Sequence, residues 1–260
     1  MRYCGSKRKF MKYLLPILTK DMDENTLFVD LFGGGMNVVC EIPSEPKIAV
    51  DYNKYVIALW KELQENGMKN IPTEVSEEIY NDVKSDYINR TNKYEDYIIG
   101  YVGTCCSFGG SWFNGYARFN PNKNEDHIKE AYNGLKKQVE NFIGLKKTVF
   151  LHSSYDRVLL HKNDIVYCDP PYLTSCGAYN DGKRGFNGWD EKQEKDLLDF
   201  LSRINEKGIK FMLSNMMSRN GNENKSLIKW IKDNNFKLII SDKVTKRNRQ
   251  DRQEILIMNY

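Results

Sequence analysis

The sequence holds few of the residues that build metal centres and disulfide scaffolds. Its 260 residues include 3 histidines and 6 cysteines. Cys105 and Cys106 are adjacent, no pair of cysteines has the spacing of a zinc site, and the histidines form no ligand motif. We therefore expect no metal, and we interpret the thiols as reduced, mostly buried side chains of a cytoplasmic protein.

Long apolar segments are missing as well. No apolar run reaches the roughly 18 residues of a membrane-spanning helix, and no apolar stretch typical of a secretory signal follows the basic N-terminus. The sequence therefore predicts neither a membrane protein nor a secreted one. A chain of 260 residues is long enough for one or two domains, stabilised by apolar cores without a disulfide or a metal.

The chain as a whole also has no large excess of charge of one sign. The 39 basic and 35 acidic residues leave a formal net charge of +4, which many proteins without nucleic-acid partners share. The distribution is more informative, because the first 20 residues hold six basic groups and no acid, whereas residues 61–150 are nearly neutral. The last 20 residues are also basic, so the two chain ends predict a binding face wherever they converge.

Short apolar runs alternate with amphipathic segments in two parts of the chain. The first part predicts a strand, a glycine turn and a helix, followed by a second strand and a helix at 54–66. The alternation returns from residue 148, which is typical of an α/β fold with a mostly parallel sheet. We therefore predict a sheet domain formed by residues 1–66 and 146–260, with an inserted, mostly helical subdomain at 67–145.

The glycine turn after the first strand has features of a nucleoside site. Glycines at 33–35 allow the backbone to approach a ligand closely, and Asp51 ends the next strand, where an acid can bind ribose hydroxyls. The turn departs from the G-x-G-x-x-G pattern, because Val38 stands where its third glycine would be. We therefore favour a nucleoside without a pyrophosphate over a dinucleotide, with a plain tight turn as the alternative.

A second motif, Asp169-Pro170-Pro171-Tyr172, follows an apolar strand at 165–168. Prolines donate no backbone hydrogen bond, so the carbonyls of this loop are left as acceptors. The Asp169 carboxylate and a proline carbonyl can accept both hydrogens of an amine on a flat ring, while Tyr172 stacks on that ring. Such acceptors favour a pyramidal nitrogen and stabilise the charge that it gains during attack. The motif indicates chemistry at an exocyclic amine, with an ordinary turn as the alternative.

Together these motifs resemble a known family, the Dam-type DNA adenine-N6 methyltransferases of bacteria and phages. The resemblance rests on FVDLFGGG at 28–35 and CDPPY at 168–172. It extends to an aromatic-Gly-x-Lys motif at 3–7 and to the C-terminal segment 246–260, so that it covers nearly the whole chain. It implies a Rossmann-like sheet, S-adenosylmethionine as the methyl donor, and the insertion at 67–145 as a target-recognition subdomain.

The resemblance also implies roles for individual residues. Asp169, Pro170 and Tyr172 would hold the flipped adenine and carry catalysis. Relatives place an Asp-aromatic pair upstream of the second motif, and here either Ser154 or Asp156 takes the place of that acid. The implied cofactor-binding residues surround the glycine turn and the ends of the strands. They are Tyr3, Lys7, Asp30, Phe32, Gly33, Gly35, Asp51 and Asp169.

Candidate contacts to duplex DNA fall into two groups. Aromatic and basic side chains at 107–119 either reach bases or form the core of the insertion. Basic side chains near both chain ends either neutralise phosphates or form a solvated surface. The first group lacks the pattern of relatives that read GATC, so GATC specificity is not predicted. The candidates are Lys9, Trp112, Tyr116, Arg118, Arg247 and Arg249.

We therefore expect an enzyme that transfers methyl from S-adenosylmethionine to the N6 atom of a flipped adenine in duplex DNA. The resemblance implies a bacterial or phage-infected host cytoplasm, and it allows a cognate restriction endonuclease as a partner. Two alternatives remain open, an RNA adenine-N6 methyltransferase and a catalytically inactive nucleic-acid-binding relative. The large insertion favours duplex DNA over RNA, and the intact motif at 169–172 favours an enzyme.

Overall fold

One central sheet, covered by helices on both faces, forms the framework of the molecule. The computed structural model describes residues 1–43, 45–173, 188–219, 221–240 and 252–260. The strands are β1 (Phe28–Asp30), β2 (Lys47–Asp51), β3 (Thr148–His152), β4 (Ile165–Cys168), β5 (Lys210–Arg219), β6 (Asn222–Glu223), β7 (Lys237–Ile240) and β8 (Arg252–Met258). The helices are α1 (Met11–Thr19), α2 (Lys54–Asn66), α3 (Glu77–Asn89), α4 (Asp96–Cys105), α5 (His127–Glu140), α6 (Glu191–Glu206) and α7 (Lys225–Asn234).

The strand order places one crevice at the centre of the sheet. The order is β3-β2-β1-β4-β5-β8-β7, with β6 paired to β5. The first five strands are parallel, and β8 lies antiparallel between β5 and β7. The chain moves outward from β1 to β3 and returns to β4 on the other side of β1, so the order reverses between β1 and β4. Ligands of open α/β sheets bind beyond the carboxyl ends of the strands at such a reversal.

The central strands are apolar on both faces because helices cover both. Phe28 of β1 belongs to a core shared with α1, α2, α4 and α5, whereas its neighbour Val29 belongs to a second core with α6 and α7. Successive residues of a strand point to opposite faces, so these two cores lie on the two sides of the sheet. The predicted α/β fold with a mostly parallel sheet is confirmed.

The segment after the glycine turn differs from its prediction. We predicted a helix there, but the structure has consecutive turns and a single 3₁₀ turn at Val39–Glu41. Gly34 has a φ of 47° and Met36 a φ of 54°, and such left-handed backbone does not continue into a right-handed helix. The helix predicted at 54–66 is confirmed as α2, with Asn53 accepting hydrogen bonds at its N-cap.

The region 67–145 is helical, as predicted, and it packs tightly against the sheet domain. A Cβ on Gly100 of α4 would lie 2.2 Å from the carbonyl oxygen of Tyr55 in α2. Tyr80 of α3 and Leu135 of α5 are buried in the same apolar core as α1 and one face of the sheet. The boundaries of the insertion, and its role in target recognition, stay predictions.

Candidate active site

The glycine turn lies at the carboxyl end of β1, beside the reversal of strand order. The Gly33 N–H donates to the Val50 carbonyl at 2.7 Å, which fixes the turn to β2. Asp51, the last residue of β2, accepts the Gly34 N–H at Oδ2 (2.8 Å) and the Asn53 N–H at Oδ1 (2.7 Å). Asp51 therefore fixes both the glycine turn and the start of α2.

The N-terminal segment lies directly on this turn. A Cβ on Gly34 or Gly35 would lie 2.7 Å from an atom of the Tyr3 side chain, so both positions need glycine for the close approach. The Cys4 N–H donates to the Gly110 carbonyl at 3.2 Å, which connects the same segment to the insertion. The structure thus brings three distant parts of the sequence to one edge of the sheet.

A cleft enclosing about 380 Å³, part of it open to solvent, lies between the N-terminal segment, the glycine turn and the end of β4. Of the residues predicted to bind the cofactor, all but Asp51 line this cleft, and Asp51 lies behind the turn that it holds. Residues that the sequence did not predict as cofactor contacts also line it, namely Cys4, Asn37, Val38 and Tyr167 among others. The cofactor-binding roles of these residues stay predictions.

Asp30 is buried in this cleft with 2% of its surface exposed. Its Oδ1 accepts the Phe32 N–H at 3.2 Å. Burial raises the pKa of Asp30 to about 8; Asp169 and Asp51 add to the rise, while the Phe32 N–H and Lys7 oppose it. At neutral pH this carboxyl therefore favours its protonated form, in which it can donate a hydrogen bond.

An aromatic wall continues from the glycine turn. The Phe32 ring lies 5.3 Å from the Tyr155 ring and 6.0 Å from the Trp189 ring, measured between centroids. The two residues predicted as alternatives for the family's upstream acid adjoin this wall, and the Ser154 hydroxyl hydrogen-bonds the Asp156 carboxylate. The two alternatives thus form one pair, and the choice between them stays open.

Asp169 follows β4, and its carboxylate is held by Lys7. The Lys7 Nζ lies 2.7 Å from Asp169 Oδ1 and 2.8 Å from Oδ2, and the lysine is almost fully buried. Burial raises the pKa of Asp169, while the positive charge and hydrogen bond of Lys7 oppose that rise. A charge pair of this kind stays ionised only because its partners are so close. Pro170, the neighbour predicted to present an acceptor carbonyl, is buried.

Tyr172 is also buried, and its hydroxyl lies within a polar cluster that includes residues the sequence did not reveal. The hydroxyl is 2.9 Å from Asp169 Oδ1, 3.0 Å from Ser214 Oγ and 3.0 Å from Glu254 Oε1. Glu254 also lies 3.1 Å from the Lys7 Nζ. The available signal was weak, since Glu254 is a single acid next to the apolar run of β8.

The predicted DNA contacts are distributed unevenly. Lys9 is exposed, and Arg118 is exposed but paired with Glu77. Trp112 and Tyr116 are half-buried, with the Tyr116 hydroxyl donating to the Val75 carbonyl at 2.7 Å. Arg247 and Arg249 lie outside the described residues. The exposed aromatic side chains of the same passage are Phe108 and Phe119, 65% and 53% exposed.

Two further findings concern membrane spans and metal ligands. Among the described residues, no helix is long and apolar enough to cross a bilayer. No group of three or more His, Cys, Asp or Glu side chains within the described ranges is placed to hold a metal ion.

Three curated relatives match the whole chain. It is 34% identical to the type II methyltransferase M.FokI of Planomicrobium okeanokoites, covering 100% of this chain and 42% of that protein. It is 28% identical to the modification methylase StsI of Streptococcus sanguinis, again over 100% and 42%. It is 30% identical to the modification methylase LlaI of Lactococcus lactis subsp. lactis, over 100% and 43%. The chain thus spans about two fifths of the length of these relatives.

A family model matches residues 3–248, a range that includes the glycine turn, the insertion and the motif at 169–172. The family inferred from these motifs is therefore confirmed. The chain belongs to the D12 class N6 adenine-specific DNA methyltransferases.

Proposed function

We propose that the chain transfers a methyl group from S-adenosylmethionine to the N6 atom of an adenine in duplex DNA. One observation carries this proposal. The Asp169 carboxylate and the glycine turn line the same cleft, at the reversal of strand order. An acceptor for an amine therefore adjoins a backbone surface suited to a nucleoside, which is the arrangement that an amine-directed transfer needs.

The residues present fit S-adenosylmethionine. Gly33, Gly34 and Gly35 line the cleft with backbone atoms alone, so a ligand can approach the turn closely. Tyr167 lines the cleft, and its buried hydroxyl has no hydrogen-bond partner among the described residues. A buried polar atom without a partner is a position where a ligand group is expected. Tyr3, Lys7, the residues at 30–35, Asp51 and Asp169 would hold this cofactor.

When bound, S-adenosylmethionine supplies an electrophilic methyl group on a positively charged sulfur. Asp169 accepts a hydrogen bond from the adenine amine and stabilises the positive charge that develops on its nitrogen. The Pro170 carbonyl accepts the second amine hydrogen, and Tyr172 presents its ring to the base. The carboxylates of Asp169 and Glu254 outnumber the Lys7 ammonium, so the cluster favours a positively charged reacting centre.

The adenine of a duplex must leave the base stack to reach Asp169, because Asp169 lines a cleft whereas the amine of a stacked, paired adenine lies inside the duplex. The turn at 108–110 carries the exposed Phe108, and it adjoins the N-terminal segment through the Gly110–Cys4 hydrogen bond. We propose that this turn, with Lys9 and Arg118, faces the DNA. Phosphate contacts from Arg247 and Arg249 belong to the same proposal.

The relatives' names suggest a setting for this activity. Two are named modification methylases and one a type II methyltransferase. We propose that this chain acts in restriction-modification, with a cognate endonuclease that recognises the same DNA sequence. Its place of action would be the cytoplasm of a bacterial or phage-infected cell, where its DNA substrate lies.

Methylation assays with the 260-residue chain test the proposal. The chain is incubated with methyl-labelled S-adenosylmethionine and either unmethylated duplex DNA or RNA, and the modified nucleoside is identified by mass spectrometry. We expect N6-methyladenine in the DNA arm, and long-read sequencing of that DNA then gives the recognised sequence. Label in RNA alone would support the RNA enzyme. Cofactor binding by calorimetry without transfer to either substrate would support the inactive relative.

A further inference from the structure

Glu254 contacts two groups of the active site from the C-terminal segment, outside the motifs at 3–7 and 169–172. Its Oε1 lies 3.1 Å from the Lys7 Nζ and 3.0 Å from the Tyr172 hydroxyl. The Glu254 side chain is 24% exposed, and the Asp169 side chain 18%. Lys7 therefore lies between two carboxylates, and one of them is the proposed acceptor for the substrate amine.

This arrangement poses a problem for substrate binding. Both Asp169 oxygens lie within 2.8 Å of the Lys7 Nζ, and Oδ1 also lies 2.9 Å from the Tyr172 hydroxyl. The Nζ is 5.1 Å from the centroid of the Tyr172 ring, so the ammonium occupies space over the ring on which a base would stack. An arriving amine needs both an oxygen of Asp169 and this space.

Moving Lys7 away from Asp169 would be costly if no other anion were near. Lys7 is 5% exposed, and a buried ammonium without a counter-ion is strongly destabilised. Glu254 removes that cost, because its oxygen already contacts the same Nζ atom. A small rotation of the lysine side chain leaves its charge paired and frees Asp169.

We propose that Glu254 is a positioning residue that takes over the Lys7 ammonium when Asp169 binds the amine of the target base. The proposal rests on the proposed function for the identity of that amine. It adds a partner that the family motifs at 3–7 and 169–172 do not contain. The Tyr172–Glu254 contact would give Glu254 a second, simpler role as an anchor for the ring, and the test has to separate the two.

The Glu254→Gln variant keeps the size of the side chain and removes its charge. In that variant Asp169 remains the carboxylate that pairs with Lys7 among the described residues, so we expect the single-turnover rate on unmethylated DNA to fall at least about tenfold. The dissociation constant for S-adenosylmethionine, measured by calorimetry, should change less than about threefold. Glu223→Gln, the same change at an exposed position of β6, should leave both quantities unaltered.

Two backgrounds distinguish transfer of the lysine from anchoring of the ring. In Lys7→Met there is no ammonium to transfer, so adding Glu254→Gln should reduce the rate by less than about twofold further. In Tyr172→Phe the full effect of Glu254→Gln should persist. An equal effect in the Lys7→Met background, or loss of the effect in the Tyr172→Phe background, would overturn the proposal.

A measurement without methyl transfer tests the same point. In protein labelled at lysine nitrogens, the Lys7 Nζ resonance is the signal missing from Lys7→Met. It should stay distinct from solvent-exposed lysines in Asp169→Asn, because Glu254 holds the ammonium, and should join them in Asp169→Asn/Glu254→Gln. A Lys7 signal that already joins them in Asp169→Asn contradicts the proposal. A wild-type chain that shows the expected resonances but methylates no DNA counts against the proposed function alone.

Discussion

Two carboxylates on opposite sides of β5, the partly buried Asp169 and the fully buried Glu194, have very different surroundings. Asp169 is linked through Tyr172 to Ser214, and Glu194 accepts a hydrogen bond from the next residue, Asn215, at 3.1 Å. Asp169 is held by an ammonium group and lines a cleft. Glu194 is fully buried and accepts hydrogen bonds from neutral donors, namely Asn215, Asn224 and the Trp189 indole.

A carboxyl side chain can therefore serve either catalysis or the stability of the fold, depending on its partners. Both carboxyls have pKa values raised first by burial. At Asp169 the Lys7 ammonium opposes that rise and the cleft is partly open to solvent, so a substrate group can replace a partner. At Glu194 the carboxyl is fully buried and accepts hydrogen bonds from three neutral N–H donors. These bonds join the start of α6 to β5 and to the N-cap of α7. Exchange of partners is therefore expected at Asp169 alone.

The largest expected effect is the loss of methyl transfer in Asp169→Asn. The amide keeps the size of the side chain but presents a donor where the amine needs an acceptor, so kcat should fall at least about a thousandfold. The thermal midpoint should stay within about 5 °C of wild type, and binding of S-adenosylmethionine should be retained within about tenfold. Substantial activity in this variant would show that Asp169 is not catalytic, and Asp169 and Glu194 would then not differ in role as proposed.

Glu194→Ala should have the opposite profile. Removing this carboxylate leaves buried N–H groups of Asn215, Asn224 and Trp189 without their acceptor, so the free energy of unfolding should fall by about 3 kcal/mol. Chemical denaturation measures that loss. Glu191→Ala, an exposed position on the same helix, is the matched control and should cost less than about 0.5 kcal/mol. A Glu194→Ala protein as stable as that control would contradict the architectural role.

The sequence distinguishes these two acids only in part. Asp169 stands between an apolar strand and two prolines, and this local pattern alone marks it as unusual. Glu194 is one of several charged residues at the start of an amphipathic helix, so nothing local separates it from the exposed Glu191. Its burial depends on Asn215 and Asn224, which the chain brings together only after the sheet has formed.

The same reasoning explains which parts of the fold were predictable. Strands and helices with clear apolar periodicity, such as α2, match their predictions because local pattern and tertiary packing agree. The helix predicted after the glycine turn fails because Met36 adopts left-handed backbone, which its residue type does not signal. Glu254 was missed because its partners, Lys7 and Tyr172, are distant in sequence.

A smaller effect concerns pH. The folded pKa of Glu194 lies above its ordinary value of 4.5, first because of burial, which its N–H donors only partly offset. The fold therefore favours the protonated form, so this group's stabilisation is present below about pH 4 and is lost as pH rises through the raised pKa. The stability difference between wild type and Glu194→Gln, measured by chemical denaturation, should therefore be largest at acidic pH and should decline as pH rises through that window. A constant difference across pH would contradict this assignment.

The smallest expected effect is the coupling through Trp189, which joins the two regions. Its indole N–H donates to Glu194 Oε2 at 2.7 Å, while its ring lies against Phe32 in the aromatic wall of the cleft. Trp189→Phe should lower the free energy of unfolding by about 1–2 kcal/mol, from the lost hydrogen bond and reduced packing. In Glu194→Gln one of the two carboxylate oxygens is replaced by an amide nitrogen, which cannot accept a hydrogen bond. If the remaining oxygen faces Trp189, the nitrogen faces the donors of Asn215 and Asn224, and in the opposite orientation it faces Trp189. Each orientation therefore loses a hydrogen bond. The two changes should therefore be less than additive, by about 0.5 kcal/mol or more.

The KM for S-adenosylmethionine should rise by about twofold in both single variants, because each releases the ring that supports Phe32. An unchanged KM in both would mean that the Glu194 cluster and the cleft are structurally independent, and that Trp189 serves the fold alone.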